Sequence, residues 1–383
     1  MSGPEGAVVH GSGDDQPENA ISGLVARLRE SRAIRSEAVA KAFLRVPRHR
    51  CVTRHFTAPS SPGARSTVVP QEGPVPPEVL RAVYSDEALV TRLGVDGWPA
   101  SSASQPSVVA RMLEALCLAP GMRVLEIGAG TGYNAALLAE IVGPQGWIRS
   151  VDVDASVVAG AQATLDRLGT SNAIVAHGDG YEGAPDHGPY DRIVCTVGID
   201  GISPHWLRQL TSDGIILAPL GHAGFHPVMR CLRSGSDLRG EAVLWCDFMR
   251  ARGSLCPRPD PLHFVNVQGT GGVVDRHAPV LASPSRYPDL WFFLGCRDQR
   301  ARLLALRDHT GQEHWGCGLT DDRGAVLLGQ DATYITGNSD LLDNALGLVR
   351  DWAATDRPEL DEWRCQFAQD STVLVPSNWV LAR

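Results

Sequence analysis

Val124-Leu125-Glu126-Ile127-Gly128-Ala129-Gly130-Thr131-Gly132-Tyr133 carries an apolar strand without a break into alternating glycines and then into a helix start. Glycine lacks a Cβ, so Gly128, Gly130 and Gly132 can take positive φ and bring the backbone close to a flat ligand. A glycine-rich turn alone is a weak signal, and its distance to an acid strengthens it. Tyr133 to Val142 reads as a helix, Gly143-Pro144-Gln145-Gly146 breaks it, and Trp147-Ile148-Arg149-Ser150-Val151-Asp152 reads as a second strand ending in a carboxylate. An acid at that point is placed to accept both hydroxyls of a ribose. The dinucleotide fingerprint wants a further glycine where this chain has Ala135. The G-x-G-x-G form, preceded by Glu126 on the strand, suits S-adenosylmethionine better than NAD.

The chain has 383 residues, 43% hydrophobic and 20% charged, and at roughly 150 residues per domain that length predicts about two domains. No apolar run is long enough to span a bilayer, and Met1 to Glu18 lacks the apolar core of a signal peptide, which together imply a cytoplasmic protein with no membrane association. Nine scattered cysteines without a C-x-x-C pair fit reduced thiols. A net charge of −8 argues against a general nucleic-acid binder and favours peptide or small-molecule substrates.

Residues 1–20 read as a disordered tail, and Ile21 to Phe43 as two short helices that pack as a cap. Ala58 to Pro77, rich in proline, serine and glycine, reads as a loop. Pro106 to Leu118 reads as a helix before the glycine-turn strand. The alternation then continues through helix Ser156 to Leu168, strands Ala173 to His177 and Asp191 to Val197, helix Pro204 to Leu210 and strand Ile215 to Pro219. Such alternation predicts a doubly wound α/β sheet of Rossmann-like type. Val228 to Leu232 and Glu241 to Phe248 are expected as an antiparallel hairpin that finishes it. The prolines of Ser254 to Pro261 mark a boundary, giving a catalytic domain over 21–253 and a smaller C-terminal α+β domain over 262–383. In the latter, Val280 to Ala282, Leu290 to Gly295, Ala325 to Gly329 and Ser371 to Val375 read as strands, and Asp340 to Trp352 as a helix with one apolar face.

Several separated motifs together resemble the protein-L-isoaspartate O-methyltransferase family over roughly residues 20–253. Val46-Pro47-Arg48-His49-Arg50 is similar to its V-P-R-x-x-F, Tyr84-Ser85-Asp86 to its Y-x-D, and Ser102-Ala103-Ser104-Gln105-Pro106 to its T-x-S-x-P turn. Leu125 to Tyr133 matches its L-E-I-G-x-G-x-G-Y and Gly178-Asp179-Gly180 with Gly183 its G-D-G-x-x-G; Pro189-Tyr190-Asp191 and Gln209-Leu210 complete the series. The resemblance implies a class I methyltransferase that uses S-adenosylmethionine and acts on a peptide or protein carrying aspartyl or isoaspartyl residues. It implies that Ser104 is the active-site residue, that Glu126, Gly128, Gly130, Thr131, Gly132 and Asp152 surround the methionine and ribose of the donor, that Asp179 with Gly180 receives the adenine, and that Gln105 and Pro106 shape the substrate mouth. Esterification of the carboxylate then leads to succinimide formation.

Two stretches depart from that pattern. The family's F-V-P-L-T becomes Phe248-Met249-Arg250-Ala251-Arg252, and its A-x-x-x-I-P becomes Gly198-Ile199-Asp200-Gly201-Ile202-Ser203-Pro204, which sets an acid beside the peptide site where it is expected to repel an acceptor carboxylate. With the long extension, these departures keep open a relative that methylates Asp of a dedicated ribosomal precursor peptide, and a catalytically silent donor-binding regulator. Ser104 also reads as an N-cap before Pro106, and Asp154 as a solvated helix start. His222 and His226 read as loop histidines rather than a metal pair, because Gly224 and Pro227 deny them a helix. Cys195 reads as a buried hydrophobe, and Trp245, Trp291 and Trp352 as core.

Overall fold

Helix α1 (Pro17–Glu30) is the first element of the computed structural model, which describes residues 16–58, 64–234, 237–257, 275–277, 284–307, 311–337, 339–370 and 372–382. Pro17 at its first turn and Glu18 beside the helix dipole start it inside the stretch expected to be a tail. Residues 1–15 lie outside the described part. The chain divides after Gly178 into two compact units.

In the first unit, α1 and α2 (Glu37–Arg45) are the expected helix pair, and Ser36 caps α2 by accepting from Val39 N. An antiparallel sheet follows in the order β2-β1-β3-β4, built from β1 (Arg54–Thr57), β2 (Arg65–Val68), β3 (Leu89–Leu93) and β4 (Pro99–Ala103), with α3 (Pro77–Val83) inserted. Strand β2 corrects the loop reading of Ala58 to Pro77. Its residues are mostly exposed, so no apolar alternation marks them, and pairing with β1 from Arg54↔Val68 to Thr57↔Arg65 makes the strand.

Helix α4 (Pro106–Ala115) leads into three parallel strands ordered β5-β6-β7: β5 (Arg123–Ile127), β6 (Trp147–Asp152) and β7 (Ala173–His177). Between them run α5 (Tyr133–Val142) and α6 (Ala155–Leu168). Asp154 caps α6 by accepting from the N–H groups of Ser156 and Val157, and these bonds, with the Ser156 hydroxyl first, pull its carboxyl down to about 2.

The second unit opens with β8 (Tyr190–Cys195), where Cys195 is buried, and α7 (Pro204–Gln209). Strand β9 (Leu210–Pro219) runs parallel to β8, and β10 (Val228–Ser234) and β11 (Asp237–Leu244) follow antiparallel. The hairpin does not finish this sheet. Strand β17 (Trp363–Asp370) pairs with β11, and β18 (Val373–Leu381) pairs with β17, so the order is β18-β17-β11-β10-β9-β8.

The smaller α+β part is an antiparallel sheet ordered β12-β16-β15-β14-β13, comprising β12 (Asp275–His277), β13 (Ala301–Arg307), β14 (Glu313–Asp321), β15 (Gly324–Leu328) and β16 (Thr333–Gly337), with α8 (Tyr287–Arg297) and α9 (Ser339–Ala354). Leu290 to Gly295 is thus helix, not strand: Trp291, Phe292, Phe293 and Leu294 are all buried, and a run apolar on every side has no period that tells helix from strand. Val280 to Ala282 falls outside the described residues. Among the described residues no helix is long and apolar enough to cross a membrane.

Helix α8 grips the loop between β9 and β10. The Trp291 indole donates to Ala223 O at 2.9 Å, Phe225 meets Trp291 edge-on at 4.3 Å, and the half-buried Trp245 stacks on Phe225 at 5.0 Å. The half-buried ring of His222 stacks on Phe292 at 4.3 Å, and a Cβ on Gly295 would strike it at 2.4 Å. Burying a large apolar side chain contributes about 1.5–3 kcal/mol, so the side chains shared across this seam rival a whole domain's net stability of about 5–15 kcal/mol. Truncation after Ser254 is therefore expected to abolish the cooperative thermal melt seen by circular dichroism, because it bares this cluster and the edge of β11.

Candidate active site

The glycine turn adopts the conformation its sequence demands. Gly128, Gly130 and Gly132 have φ of 96°, 50° and 79°. Gly132 is required for packing, since a Cβ there would lie 2.9 Å from Ala161 O on α6. At Gly130 the added atom would stand 3.6 Å from Ser102 O, so the glycine turn and the turn that carries Ser104 face each other within the first unit.

Asp152 ends β6 and is tied to the same turn. Its Oδ2 accepts from Ala129 N at 3.0 Å and its Oδ1 from Asp154 N at 3.0 Å, which fixes the carboxylate plane beside the glycines. Thr131 Oγ1 accepts from Tyr133 N at 3.4 Å. Glu126 takes a different place. It is fully buried and accepts from Asn134 Nδ2 at 2.8 Å and the Ser150 hydroxyl at 2.5 Å, so it braces β5 against α5 and β6 from beneath the turn. Burial pushes its carboxyl up to about 7, against the pull of those two hydrogen bonds.

Ser104 sits half-buried between β4 and α4 and is not the cap of α4. That role falls to Asp86, whose Oδ1 accepts from Ser107 N at 2.8 Å and whose Oδ2 accepts from Gln105 Nε2 at 3.3 Å. The backbone of Ser104 is held by Arg48, a residue read in sequence only as part of a motif. Arg48 is fully buried. Its Nη1 donates to Val83 O at 2.7 Å and Ser85 O at 3.3 Å, and its Nη2 to Glu87 O at 3.1 Å, Ala103 O at 3.2 Å and Ser104 O at 3.0 Å. Burial lowers the Arg48 pKa, yet a guanidinium stays charged in a protein, so carbonyl dipoles carry its solvation. Pro106 is buried at the start of α4.

The second unit begins with Asp179 and Gly180. Asp179 is exposed, and its Oδ1 accepts from Tyr181 N at 2.9 Å. Gly180 O accepts from the fully buried Trp206 indole at 2.8 Å. Gln209 locks the rest of the motif: its Oε1 accepts from Ala184 N at 2.8 Å, its Nε2 donates to Glu182 O at 2.7 Å, and Gly183, at φ 70°, packs against it. Trp206 and Gln209 bond to main chain here, which explains why sequence alone gave them no role.

A model of the protein-L-isoaspartate(D-aspartate) O-methyltransferase family matches residues 19–252. This chain belongs to that family. It is 38% identical over 222 residues to the protein-L-isoaspartate O-methyltransferase of Thermotoga maritima, covering 57% of this chain and 62% of the relative. It is 36% identical over 203 residues to that of Methanothermobacter thermautotrophicus, covering 53% and 80%. A solved protein-L-isoaspartate O-methyltransferase superposes with a TM-score of 0.55 at 25% identity over 93% of this chain and 99% of its own. The likeness therefore reaches beyond Pro257 and establishes a class I, Rossmann-like methyltransferase fold with an added C-terminal β-rich part. Enzymes of the family use S-adenosylmethionine, and the positive-φ turn with Asp152 tied beside it suits that donor.

Two measurements check this geometry. Arg48→Met leaves buried carbonyls without donors, each costing about 1–3 kcal/mol, so urea unfolding should show a loss of about 3 kcal/mol or more, with Arg48→Lys intermediate because an ammonium lacks the fork. Glu126, raised in the folded state from 4.5 to about 7, contributes stability that is full below pH 4.5 and lost as pH rises through 7. Glu126→Gln should therefore gain on the wild type by on the order of 3 kcal/mol between those pH values, read as the difference of their urea curves.

Proposed function

We propose that this chain transfers the methyl group of S-adenosylmethionine to the carboxylate of an aspartyl or isoaspartyl residue in a peptide or protein. The observation that carries this reading is the facing pair of turns: the Ser104 turn, fixed by Arg48, lies against Gly130, and Asp152 is fixed to the same glycine turn. When bound, the donor supplies a methyl group already activated on a sulfonium. Gly128, Gly130, Thr131 and Gly132 let its methionine and ribose part approach the backbone, Asp152 accepts from the ribose hydroxyls, and Asp179 with Gly180 receives the adenine. Glu126 acts from below by holding Asn134 and Ser150.

The chemistry needs no strong base. A side-chain carboxyl with an ordinary pKa of about 4 is ionised at neutral pH and is itself the nucleophile. Ser104 donates a hydrogen bond that orients one carboxylate oxygen, with Gln105 and Pro106 forming the rim, and fixing the reacting atoms about 3 Å apart supplies much of the barrier reduction. The ester turns a poor leaving group into methoxide, which departs as methanol when the neighbouring backbone nitrogen closes the succinimide.

A dedicated precursor peptide as acceptor is a second reading. It is favoured by the contact of β18 with the substrate-side segment, where Ile202 and Leu374 exchange N–H···O bonds of 2.8 Å each.

Incubation with labelled donor and paired Asp and isoAsp peptides should yield a base-labile methyl ester, and the absence of ester on every acceptor contradicts the proposal. Ser104→Ala should lower kcat by about tenfold to a hundredfold while leaving donor affinity intact, and Asp152→Ala should weaken S-adenosylhomocysteine binding by about tenfold or more in calorimetry.

A further inference from the structure

Gln105 follows Ser104 and opens α4, where its carbonyl accepts from Val109 N at 3.1 Å. Its side chain meets an acid: Nε2 donates to Asp86 Oδ2 at 3.3 Å, while Asp86 Oδ1 accepts from Ser107 N at 2.8 Å. An amide has one end that donates and one that accepts, and a carboxylate only accepts. Gln105 must therefore turn its NH2 group to Asp86, and the end left over is the acceptor Oε1. Among the described residues none donates to Oε1, and Gln105 is half-buried, so this oxygen is open to a ligand.

Both partners of the lock are themselves held. Asp86 stands between Ser85 and Glu87, whose carbonyls accept from Arg48 at 3.3 Å and 3.1 Å. The Ser85 hydroxyl adds a bond to Ala82 O at 2.8 Å. On the other side, the Ser104 carbonyl before Gln105 accepts from the same guanidinium at 3.0 Å. The charge of Asp86 lies at the N-terminus of α4, where the helix dipole favours it. A side chain whose supports are hydrogen-bonded in turn keeps one orientation, which is what discrimination between ligands requires.

We propose that Gln105 Oε1 determines acceptor specificity by accepting from the backbone N–H of the residue being methylated, with Asp86 as the positioning residue that keeps this oxygen outward. The inference rests on the carboxylate-methylation reading above, in which the Ser104 hydroxyl donates to the acceptor carboxylate. Consecutive residues, with Cα atoms about 3.8 Å apart, then offer one donor and one acceptor. The substrate offers the matching pair: two carbons join an aspartyl carboxylate to its own backbone nitrogen, and one carbon joins an isoaspartyl carboxylate to its own. A single N–H therefore serves both acceptors. A carboxylate without that N–H strips Oε1 of water and returns no donor, so it is bound less well.

Hexapeptides carrying Asp or isoAsp test this with the full chain, each compared with its depsipeptide, in which an ester oxygen replaces the acceptor residue's own N–H. With labelled donor, kcat/KM is read from the labelled methanol that base releases, and S-adenosylhomocysteine affinity is read by calorimetry. Wild type should prefer the amide peptide by about tenfold or more. Gln105→Ala should bring the two to within about threefold, chiefly by lowering kcat/KM for the amide peptide. Asp86→Asn still caps α4 but lets the Gln105 amide turn either end outward, and it should reduce the preference by about threefold. S-adenosylhomocysteine affinity should stay within about threefold throughout. A preference that survives Gln105→Ala, an undiminished preference in Asp86→Asn, or a loss of S-adenosylhomocysteine affinity that parallels the loss of preference overturns the proposal. A wild type that esterifies amide and depsipeptide alike refutes the role of Gln105 alone, whereas one that esterifies no peptide refutes the methylation reading.

Discussion

One buried guanidinium organises the first unit. Arg48 is fully buried, and the carbonyls that solvate it come from the end of α3, the stretch before β3 and the turn after β4. Moving a charge out of water is costly unless its donors are satisfied, so those carbonyls are held where the fork can reach them. The result is a fixed Ser104 backbone over Gly130, with Asp86 holding Gln105 and Ser107 from the other side. Three separated motifs, V-P-R, Y-S-D and S-x-S-Q-P, are thereby one hydrogen-bonded unit, and the position of the Ser104 turn depends on a residue more than fifty positions before it.

The second unit fixes its loops by the same means, with polar side chains bonding to main chain. Trp206 holds Gly180 and Gln209 holds Gly183 and Ala184. Its sheet is completed from far along the chain, since β17 and β18 continue it past β11, and Tyr181 donates its hydroxyl to Thr372 O at 2.8 Å. The region after Pro257 is therefore part of how this unit is built, and it reaches the segment from Gly198 to Pro204 through the bonds of Leu374 with Ile202.

The glycine turn and the acid tied beside it were legible because their requirements are written in residue types: glycine where φ is positive, and an acid at a strand end. Strand β7, Ala173–His177, and helix α6 were likewise plain from their periodicity. The role of Arg48 was not, because its partners are carbonyl oxygens that every residue possesses. The ion pair of Asp200 with Arg250 was not legible either, for a related reason: the two lie fifty positions apart, Arg250 on an irregular segment, and no local pattern signals the pair. Helix α8 read as a strand because Trp291 to Leu294 is apolar on all sides, and β2 read as loop because it is exposed on most of its length. Packing and pairing decided these elements, and neither has a local period.

A crystal structure with S-adenosylhomocysteine bound tests the account most directly. It should show the ribose hydroxyls on Asp152, the adenine at Asp179 and the sulfur directed toward Ser104, with the Arg48 bonds unchanged. A ligand bound away from the glycine turn, or a Ser104 turn that leaves Arg48 when the ligand enters, would contradict it.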